Sequence, residues 1–446
     1  MTAPKNSYGN VILGGCLVNS VNPAETVKVR QNMHLTQKIR VFPSPKQEDV
    51  LWHLSDRCRL LYNFALLERK REWKLRGEMT GYAKQQNDLP AMKERYPEYG
   101  WVYSKVLQMV LRTLDADYRS FFSVWSKGRR DAEPPRFKGR MYFMTMNYNQ
   151  SGFKIERGKI TLKHYYNKVP LAFIVPEKYE FERVRQVSIH RDSRDRRFYL
   201  SIIYELPERP HVDNGLYQAV DLGINKIVTA VNTLGRFFEV INPRPDKYWN
   251  PRVDAICSRR DHCKKRSRKW HRLNNALRRC QRKCSDQLQD HQHKLSREMV
   301  SNTKANTIVI GHLAVKEMAR SGRTTSGLNR SIHNTGYISR FARFLTYKAK
   351  LAGKRIIEID EYNTSRKCYV CGKEHDMPLS KRTMECDCGN VIDRDRSSAI
   401  NIMIRFLSQN ALWTGYQQFV GNLRNTGLLA IRTEEHSQEA PHLVVR

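Results

Sequence analysis

Residues 361–402 read E-Y-N-T-S-R-K-C-Y-V-C-G … M-E-C-D-C-G-N-V-I-D-R-D-R-S-S-A-I-N-I, and no other stretch restricts the fold as much. Four cysteines fall in two close pairs, Cys368 with Cys371 and Cys386 with Cys388, separated by 14 residues. Two such pairs suit a tetrahedral Zn²⁺ held by a short ribbon of strand and knuckle. One structural zinc is therefore expected, with four free thiols as the alternative. The second pair is C-x-C, tighter than the usual C-x2-C, which predicts a distorted knuckle or a weakened metal site. Asp393 and Asp395 follow directly, a carboxylate pair beside the ribbon.

At 446 residues the chain is too long for one core, and two to four domains are expected. Its net charge of +35, from 79 Lys and Arg against 44 Asp and Glu, is spread through the sequence. Such an excess calls for a polyanionic partner, nucleic acid first and an acidic membrane surface second. No 18-residue apolar run occurs, and the first residues lack a charged-then-apolar leader pattern, so no membrane span is expected; with nucleic acid the preferred polyanion, no membrane partner is expected. The ten cysteines then belong in a reducing compartment, as zinc ligands or buried thiols rather than a disulfide framework.

Residues 1–33 form an N-terminal extension without a readable pattern. A basic strand runs from His34 to Phe42, within a 34–45 segment. Ser44-Pro45-Lys46-Gln47 then reads as a helix start, with Ser44 as N-cap. Leu51, Leu54, Cys58, Leu61 and Ala65 make one buried helical face. A second amphipathic helix spans about 102–125, its aromatics Tyr118, Phe121 and Trp125 read as core. Residues 46–133 are thus a helical domain. Beyond Pro134-Pro135 the pattern changes to short alternating strands, with hairpins at 153–162 and 186–206. Residues 134–212, with the first strand, are read as a small β-barrel into which the helical domain is inserted. Its cationic positions suit phosphate contacts: Lys38 and Arg40, then Arg136, Lys138 and Arg140, then Arg194 and Arg196 at a hairpin tip.

Strands and helices alternate across 213–427, which supports an α/β sheet. Tyr217–Ile224 is an apolar strand carrying one carboxylate, Asp221, which is costly in a strand centre unless a cation pairs with it. Strands at 226–231 and 236–241 follow, the meander with which ribonuclease-H-like folds begin. Residues 252–298 form a basic helical hairpin. Lys264, Lys265, Arg266, Arg268, Lys269, Arg278 and Arg279 on it are candidate backbone contacts, and Cys257, Cys263, Cys280 and Cys284 fit no common zinc pattern. Residues 428–446 read as a poorly ordered tail.

The order A-V-D-L-G-I, N-T-I-V-I-G-H-L, F-x2-L-x2-K-A, Y-N-T-S-R-K-C-Y-V-C-G and D-R-D-R-S-S-A-I-N-I closely resembles the TnpB family. These are transposon-encoded relatives of type V CRISPR effectors and of eukaryotic Fanzor proteins. K-I-R-V-F-P at 38–43 and P-R-F-K-G at 135–139 extend the resemblance over roughly 34–430. It implies a multidomain α+β protein: a wedge β-barrel with an inserted helical recognition domain, then a RuvC-like ribonuclease-H-fold domain with an inserted zinc ribbon at 366–390. It also implies an RNA-guided DNA endonuclease with a guide RNA from the transposon end and a double-stranded DNA target beside a short motif. Base pairing would supply specificity and two Mg²⁺ ions the chemistry. Oligomeric state is left open, with a monomer expected. The cytoplasm or nucleoid of a prokaryote, or the nucleus of a eukaryote, would be its place.

By the same resemblance Asp221 matches the first catalytic carboxylate and Asp395 the last, with Asp393 a neighbour rather than a ligand. The middle position departs from the family. Where I-V-I-E-D-L is usual, this chain has Ile308-Val309-Ile310-Gly311-His312-Leu313. One reading is a nuclease-inactive, RNA-guided DNA-binding repressor. The other moves the carboxylate to Glu361, in the E-x-x-T-S-x-x-C context of Fanzors and some TnpB relatives. Adjacent strands lie about 4.8 Å apart, so a Glu from the neighbouring strand can reach the same metals, and Gly311 leaves room for it. Glu317, Glu298 and His312 are lesser substitutes. A DNA transposase working without RNA is a third class, and it would purify free of RNA.

Overall fold

The computed structural model describes residues 32–176, 181–193, 196–312, 337–378 and 380–426. The proposed extension and tail therefore fall almost wholly outside the described residues, as do Arg194, Glu317 and the side chain of His312.

Turn chemistry at Ser44 sets the first helix. The Gln47 amide donates to Ser44 Oγ at 3.3 Å, and the Ser44 amide donates to Gln47 Oε1 at 2.9 Å. This reciprocal cap, with Pro45 in the first turn, opens α1 (Pro45–Arg76). Two short helices, α2 (Tyr82–Asn87) and α3 (Leu89–Arg95), and a 3₁₀ turn lead to α4 (Ser104–Ser126). The expected faces of α1 and α4 are buried against each other. Trp125 departs from its reading as core: it lies at the last turn, exposed, with the Arg130 guanidinium over its ring. Arg69 is buried between these helices. Its Nε donates to Gln85 Oε1 at 2.9 Å and its Nη1 to Asp115 at 3.3 Å, with the Tyr118 ring beneath it.

The strands of this half are β1 (Asn32–Val41), β2 (Met146–Asn149), β3 (Phe153–Glu156), β4 (Lys159–Leu162), β5 (Leu171–Ile174), β6 (Arg183–Arg191) and β7 (Phe198–Pro207). β1 pairs with β7 along its whole length, from Asn32 opposite Pro207 to Val41 opposite Phe198. That long-range pairing returns the chain to its first strand after the helical insertion. Among the described residues the strands pair as two sheets, β1-β7-β6-β2 and β3-β4-β5, where the sequence suggested one small barrel. A 3₁₀ turn at Gln150–Gly152 redirects the chain between them. A Cβ at Gly152 would collide with the Tyr103 ring at 2.7 Å. One hydrophobic core, from Ile39 through Leu107 to Ile202, joins both sheets to the helices.

The second half is a three-layer α/β unit. Its sheet contains β8 (Tyr217–Asp221), β9 (Lys226–Asn232), β10 (Phe237–Ile241), β11 (Thr307–His312) and β12 (Arg355–Asp360), in the order β10-β9-β8-β11-β12. β8, β9 and β10 form an antiparallel meander, whereas β11 and β12 run parallel to β8. The helices are α5 (Pro245–Asp261), α6 (Arg268–Asn302), α7 (Tyr337–Leu351), α8 (Arg394–Gln409) and α9 (Trp413–Asn425). Strand alternation sorts the sheet residues between two cores. Val220, Ile308 and Ile310 pack with Leu295 of α6 and Phe341 and Leu345 of α7. Ala219 and Val309 pack with Ala399, Ile402 and Phe406 of α8 and Phe419 of α9. By the same alternation Asp221 and Gly311 face α8. A hairpin of β13 (Thr383–Glu385) and β14 (Val391–Asp393) leads straight into α8.

Replacing Arg69 with Ala should destabilise the helical half by about 3 kcal/mol, the scale for truncating one member of a buried charged network. Arg119→Ala removes a mostly exposed partner of Asp115 (76% exposed) and should stay within about 0.5 kcal/mol. Denaturant midpoints of the two variants check this.

Candidate active site and zinc ribbon

The four ribbon cysteines converge. Their sulfur atoms all lie within 4.8 Å of one another, the only such ligand set among the described residues. Cys368 and Cys388 sulfurs are 3.7 Å apart and those of Cys371 and Cys386 3.5 Å apart. A tetrahedral zinc with bonds of about 2.3 Å places its sulfurs about 3.8 Å apart, so the set fits the ion. Two similar turns build it. The Gly372 amide donates to the Cys368 carbonyl, and the Gly389 amide to the Cys386 carbonyl, each at 2.8 Å. The C-x-C knuckle is a turn one residue shorter, closed by Gly389 at φ +88°. Asn390 Nδ2 donates to Cys368 Sγ at 3.3 Å, tying one knuckle to the other. The Lys373 backbone amide draws the Cys371 thiol down to about 7, whereas Cys386, despite the Cys388 amide, is pushed up to about 12 by burial and the neighbouring sulfurs, so the crowded set favours only part of the thiolate a metal needs. Cys257, Cys263, Cys280 and Cys284 join no such group among the described residues.

Three carboxylates gather where β8, β11 and β12 end. Asp221 is the last residue of β8 rather than a strand-centre residue. Glu361 follows directly on β12, which stops at Asp360. Asp395 sits in the first turn of α8, which crosses the sheet on that face. Gly311 lies between them, next in register to Asp221 on one side and opposite Ile359 on the other. Its missing side chain is the key to the site. A Cβ built on Gly311 would collide with Glu361 Oε2, and would lie 3.1 Å from both Glu361 Cβ and Ile402 Cδ1. The Glu361 side chain therefore occupies the space that a residue-311 side chain would fill.

Electrostatics show how closely these groups sit. Burial, and then the charges of Glu361 and Asp395, push the Asp221 carboxyl well above its ordinary range, against a hydrogen bond from Ser398. Burial also raises Asp395, although Arg382 Nη1 stands 3.6 Å from its Oδ1 and opposes the shift. Clustered carboxylates that resist ionisation suit a divalent cation, which supplies the charge they lack. Asp393 has a different task. Its Oδ1 accepts from the amides of Asp395 at 3.0 Å and Arg396 at 3.2 Å, capping α8, and pairs with Lys226 Nζ at 3.1 Å. Lys226 also meets Glu239 at 2.9 Å, and Arg396 reaches both Glu239 oxygens at 3.0 and 3.1 Å. This network joins β9, β10 and the start of α8. Sequence reading missed Lys226, Glu239 and Ser398. Only the placement of Ser398 three residues after Asp395 hinted at one of them. Glu298 instead lines a cavity with Tyr217, at the far end of β8 and about 13 Å of strand from Asp221.

The basic positions divide. Lys264, Lys265, Arg266, Arg268, Lys269, Arg278 and Arg279 are all exposed on the α5–α6 hairpin, as are Arg140 and Arg196. Arg278 also donates to the Ser193 carbonyl at 3.4 Å. Lys38 lies over the Tyr199 ring at 4.1 Å and Arg40 over Phe42 at 4.3 Å. Arg136 pairs with Glu133. Lys138 is drawn inward between the rings of Tyr62 and Tyr142, 3.8 Å from Asp117. The Lys138 side chain is half-buried there.

Segments of the chain match three protein families, described as "Helix-turn-helix domain" over residues 33–78, "Probable transposase" over 201–322 and "Cas12f1-like, TNB domain" over 339–402. A Streptomyces pristinaespiralis protein named "Putative RNA-guided DNA endonuclease" is 28% identical over 385 residues, covering 85% of this chain and 90% of that one. "TnpB-like protein L79" of Acanthamoeba polyphaga mimivirus is 33% identical over 140 residues, 31% of this chain and 26% of that one. Among solved structures, the Cas12f1 chain of a Cas12f1–sgRNA–target DNA complex superposes with a TM-score of 0.57 at 12% identity, covering 83% of this chain and 98% of its own, a likeness of fold.

Two measurements test the geometry of the site. Elemental analysis should find one zinc per chain, lost in Cys388→Ser. With zinc retained and no Mg²⁺ added, stability should fall as pH rises from the ordinary carboxylate range. The folded protein there binds more protons than the unfolded one, because Asp221 is raised in the fold. Asp221→Asn should flatten that slope and raise the melting temperature without Mg²⁺. A slope unchanged by Asp221→Asn would contradict the clustering.

Proposed function

We propose, for a chain that belongs to the TnpB family of transposon-encoded proteins, RNA-guided cleavage of double-stranded DNA at a RuvC-like site formed by Asp221, Glu361 and Asp395. The observation that carries this reading is the Glu361 side chain over Gly311. The family's middle carboxylate is absent from β11, and another carboxylate stands in its place. The five-stranded order with its antiparallel meander is a ribonuclease-H-like arrangement, in which the ends of β8 and β11 meet a helix bearing the last carboxylate.

Each group has a role by position. Two Mg²⁺ ions, when bound, would activate the attacking water and neutralise the leaving oxygen. Asp221, held by Ser398 at the end of the central strand, would hold these ions together with Glu361 and Asp395. Asp393 and Lys226 hold the first turn of α8, so that Asp395 does not have to reorganise. The zinc ribbon, through β14 and its direct continuation into α8, fixes where that helix starts. The exposed cations of the α5–α6 hairpin would take nucleic-acid backbone, while guide pairing supplies the sequence specificity.

The second reading, a guided binder that has lost catalysis, rests on Gly311. The two readings separate in one assay. Protein co-purified with its RNA is given Mg²⁺ and a plasmid with a guide-matched target beside randomised flanks. The parent should cut, whereas Asp221→Ala, Asp395→Ala and Glu361→Ala should each lose roughly a hundredfold to a thousandfold. Gly311→Ala, which drives a methyl into Glu361, should lose on the order of tenfold while target binding is kept. Guide-dependent binding with no cutting by the parent would establish the repressor instead. Undiminished cutting by Glu361→Ala would remove Glu361 from the site.

A further inference from the structure

A carboxylate on a strand is held by the sheet, but Glu361 lies just past the end of β12, where backbone is freer to move. Something must fix it to the precision that metal chemistry needs. The inference that follows rests on the reading of Glu361 as a metal ligand.

Helix α8 carries a polar stripe one turn apart: Arg394, Ser398, Asn401 and Arg405 share one face at i, i+4, i+7 and i+11. That face grips the segment holding Glu361. Arg405 Nη1 donates to the Asp360 carbonyl at 2.5 Å, and its Nη2 to the Tyr362 carbonyl at 2.8 Å. Asn401 Nδ2 donates to the carbonyls of Thr364 at 2.8 Å and Lys367 at 2.7 Å. Ser398 Oγ lies 3.1 Å from Thr364 Oγ1, both buried, and Arg394 Nη2 donates to Ser365 Oγ at 3.3 Å. Within the segment, the Thr364 amide and hydroxyl both donate to the Glu361 carbonyl, at 3.1 and 2.9 Å. The Tyr362 amide donates to Asp360 Oδ1 at 3.0 Å, and Asn363 turns the chain at φ +60°. The carbonyls of 360, 361, 362, 364 and 367 are thereby all engaged. Asp395 lies on the same helix, so one rigid element sets two of the three carboxylates.

We infer that Asn401 and Arg405 are positioning residues for Glu361: the polar stripe of α8 clamps residues 360–367 so that a carboxylate outside the sheet holds a fixed place over Gly311. Ser398 belongs to the same device, since it reaches both Thr364 and Asp221. The clamp acts through the backbone of the segment.

The test uses the chain co-purified with its RNA and compares parent, Asn401→Ala, Arg405→Ala, Arg405→Lys and Glu361→Gln. Hydrogen exchange is followed over the peptide 360–367, and cleavage is titrated with Mg²⁺. Asn401→Ala and Arg405→Ala should speed exchange in that peptide while zinc content and target binding stay at parent levels. Each should raise the Mg²⁺ concentration for half-maximal cutting by about tenfold, the scale of losing a group that orients a metal ligand. Excess Mg²⁺ should restore much of the rate, and Arg405→Lys should fall between parent and Arg405→Ala. If Glu361→Gln is inactive but both alanine variants keep the parent's Mg²⁺ requirement, the clamp is overturned and the reading of Glu361 stands. Faster exchange with an unchanged Mg²⁺ requirement would reduce the stripe to ordinary packing and also overturn it. If Glu361→Gln cuts like the parent, the reading of Glu361 itself fails, whatever the alanine variants do. Should Asn401→Ala not fold, Arg405→Ala alone decides, because Arg405 is only half-buried and makes its two bonds at the surface.

Discussion

Holding several carboxylates in one half-buried place is unfavourable, and the α/β half of this chain is arranged around doing it. Asp221 resists ionisation because it is covered and because Glu361 and Asp395 stand near it. Each of the three arrives on a different element, at the end of a strand, just after a second strand and in the first turn of a helix. Their approach is possible only because β11 carries no side chain at 311. A single methyl there would displace Glu361, so the glycine is a steric requirement of this arrangement.

Surrounding structure restrains what those charges would otherwise push apart. On one side, Asp393, Lys226, Glu239 and Arg396 form an ion-paired and capped joint between the meander and α8. On the other, the zinc ribbon meets the site through Arg382 beside Asp395 and through Arg394, whose Nη1 donates to the carbonyls of Met377 and Pro378. Zinc here would take no part in chemistry. It would lock a ribbon too small to have its own core, and that ribbon sets the start of the helix bearing Asp395.

Where the chain announced itself locally, sequence reading was reliable. The Ser44 cap follows from neighbouring residues alone, and the buried stripe of α1 from helical spacing. The cysteine pairs are legible because zinc geometry tolerates few spacings. Asp221 stood out as a charge in an apolar strand, though it ends that strand. Features made by distant segments were not legible. The division of the early strands into two sheets depends on a turn packed against Tyr103. Trp125 looked like core because its spacing continues the α4 stripe, but the helix outruns its partners there. The surroundings of Lys138, between the rings of Tyr62 and Tyr142 and beside Asp117, were not legible either. The spacing of Ser398 from Asp395 was a faint signal, while the ion pairs of Lys226 carry no sequence signature, since their meaning comes only from what the sheet brings beside them.

The central claim is that Glu361 has replaced a strand carboxylate as a metal ligand. Its most direct test is the location of bound metal. The protein in complex with its RNA and target DNA would be crystallised with Mn²⁺, and the anomalous signal mapped. Manganese coordinated by Asp221, Glu361 and Asp395 above Gly311 is the predicted result. Manganese bound by Asp221 and Asp395 with the Glu361 carboxylate turned away, or no manganese at these residues, would contradict it.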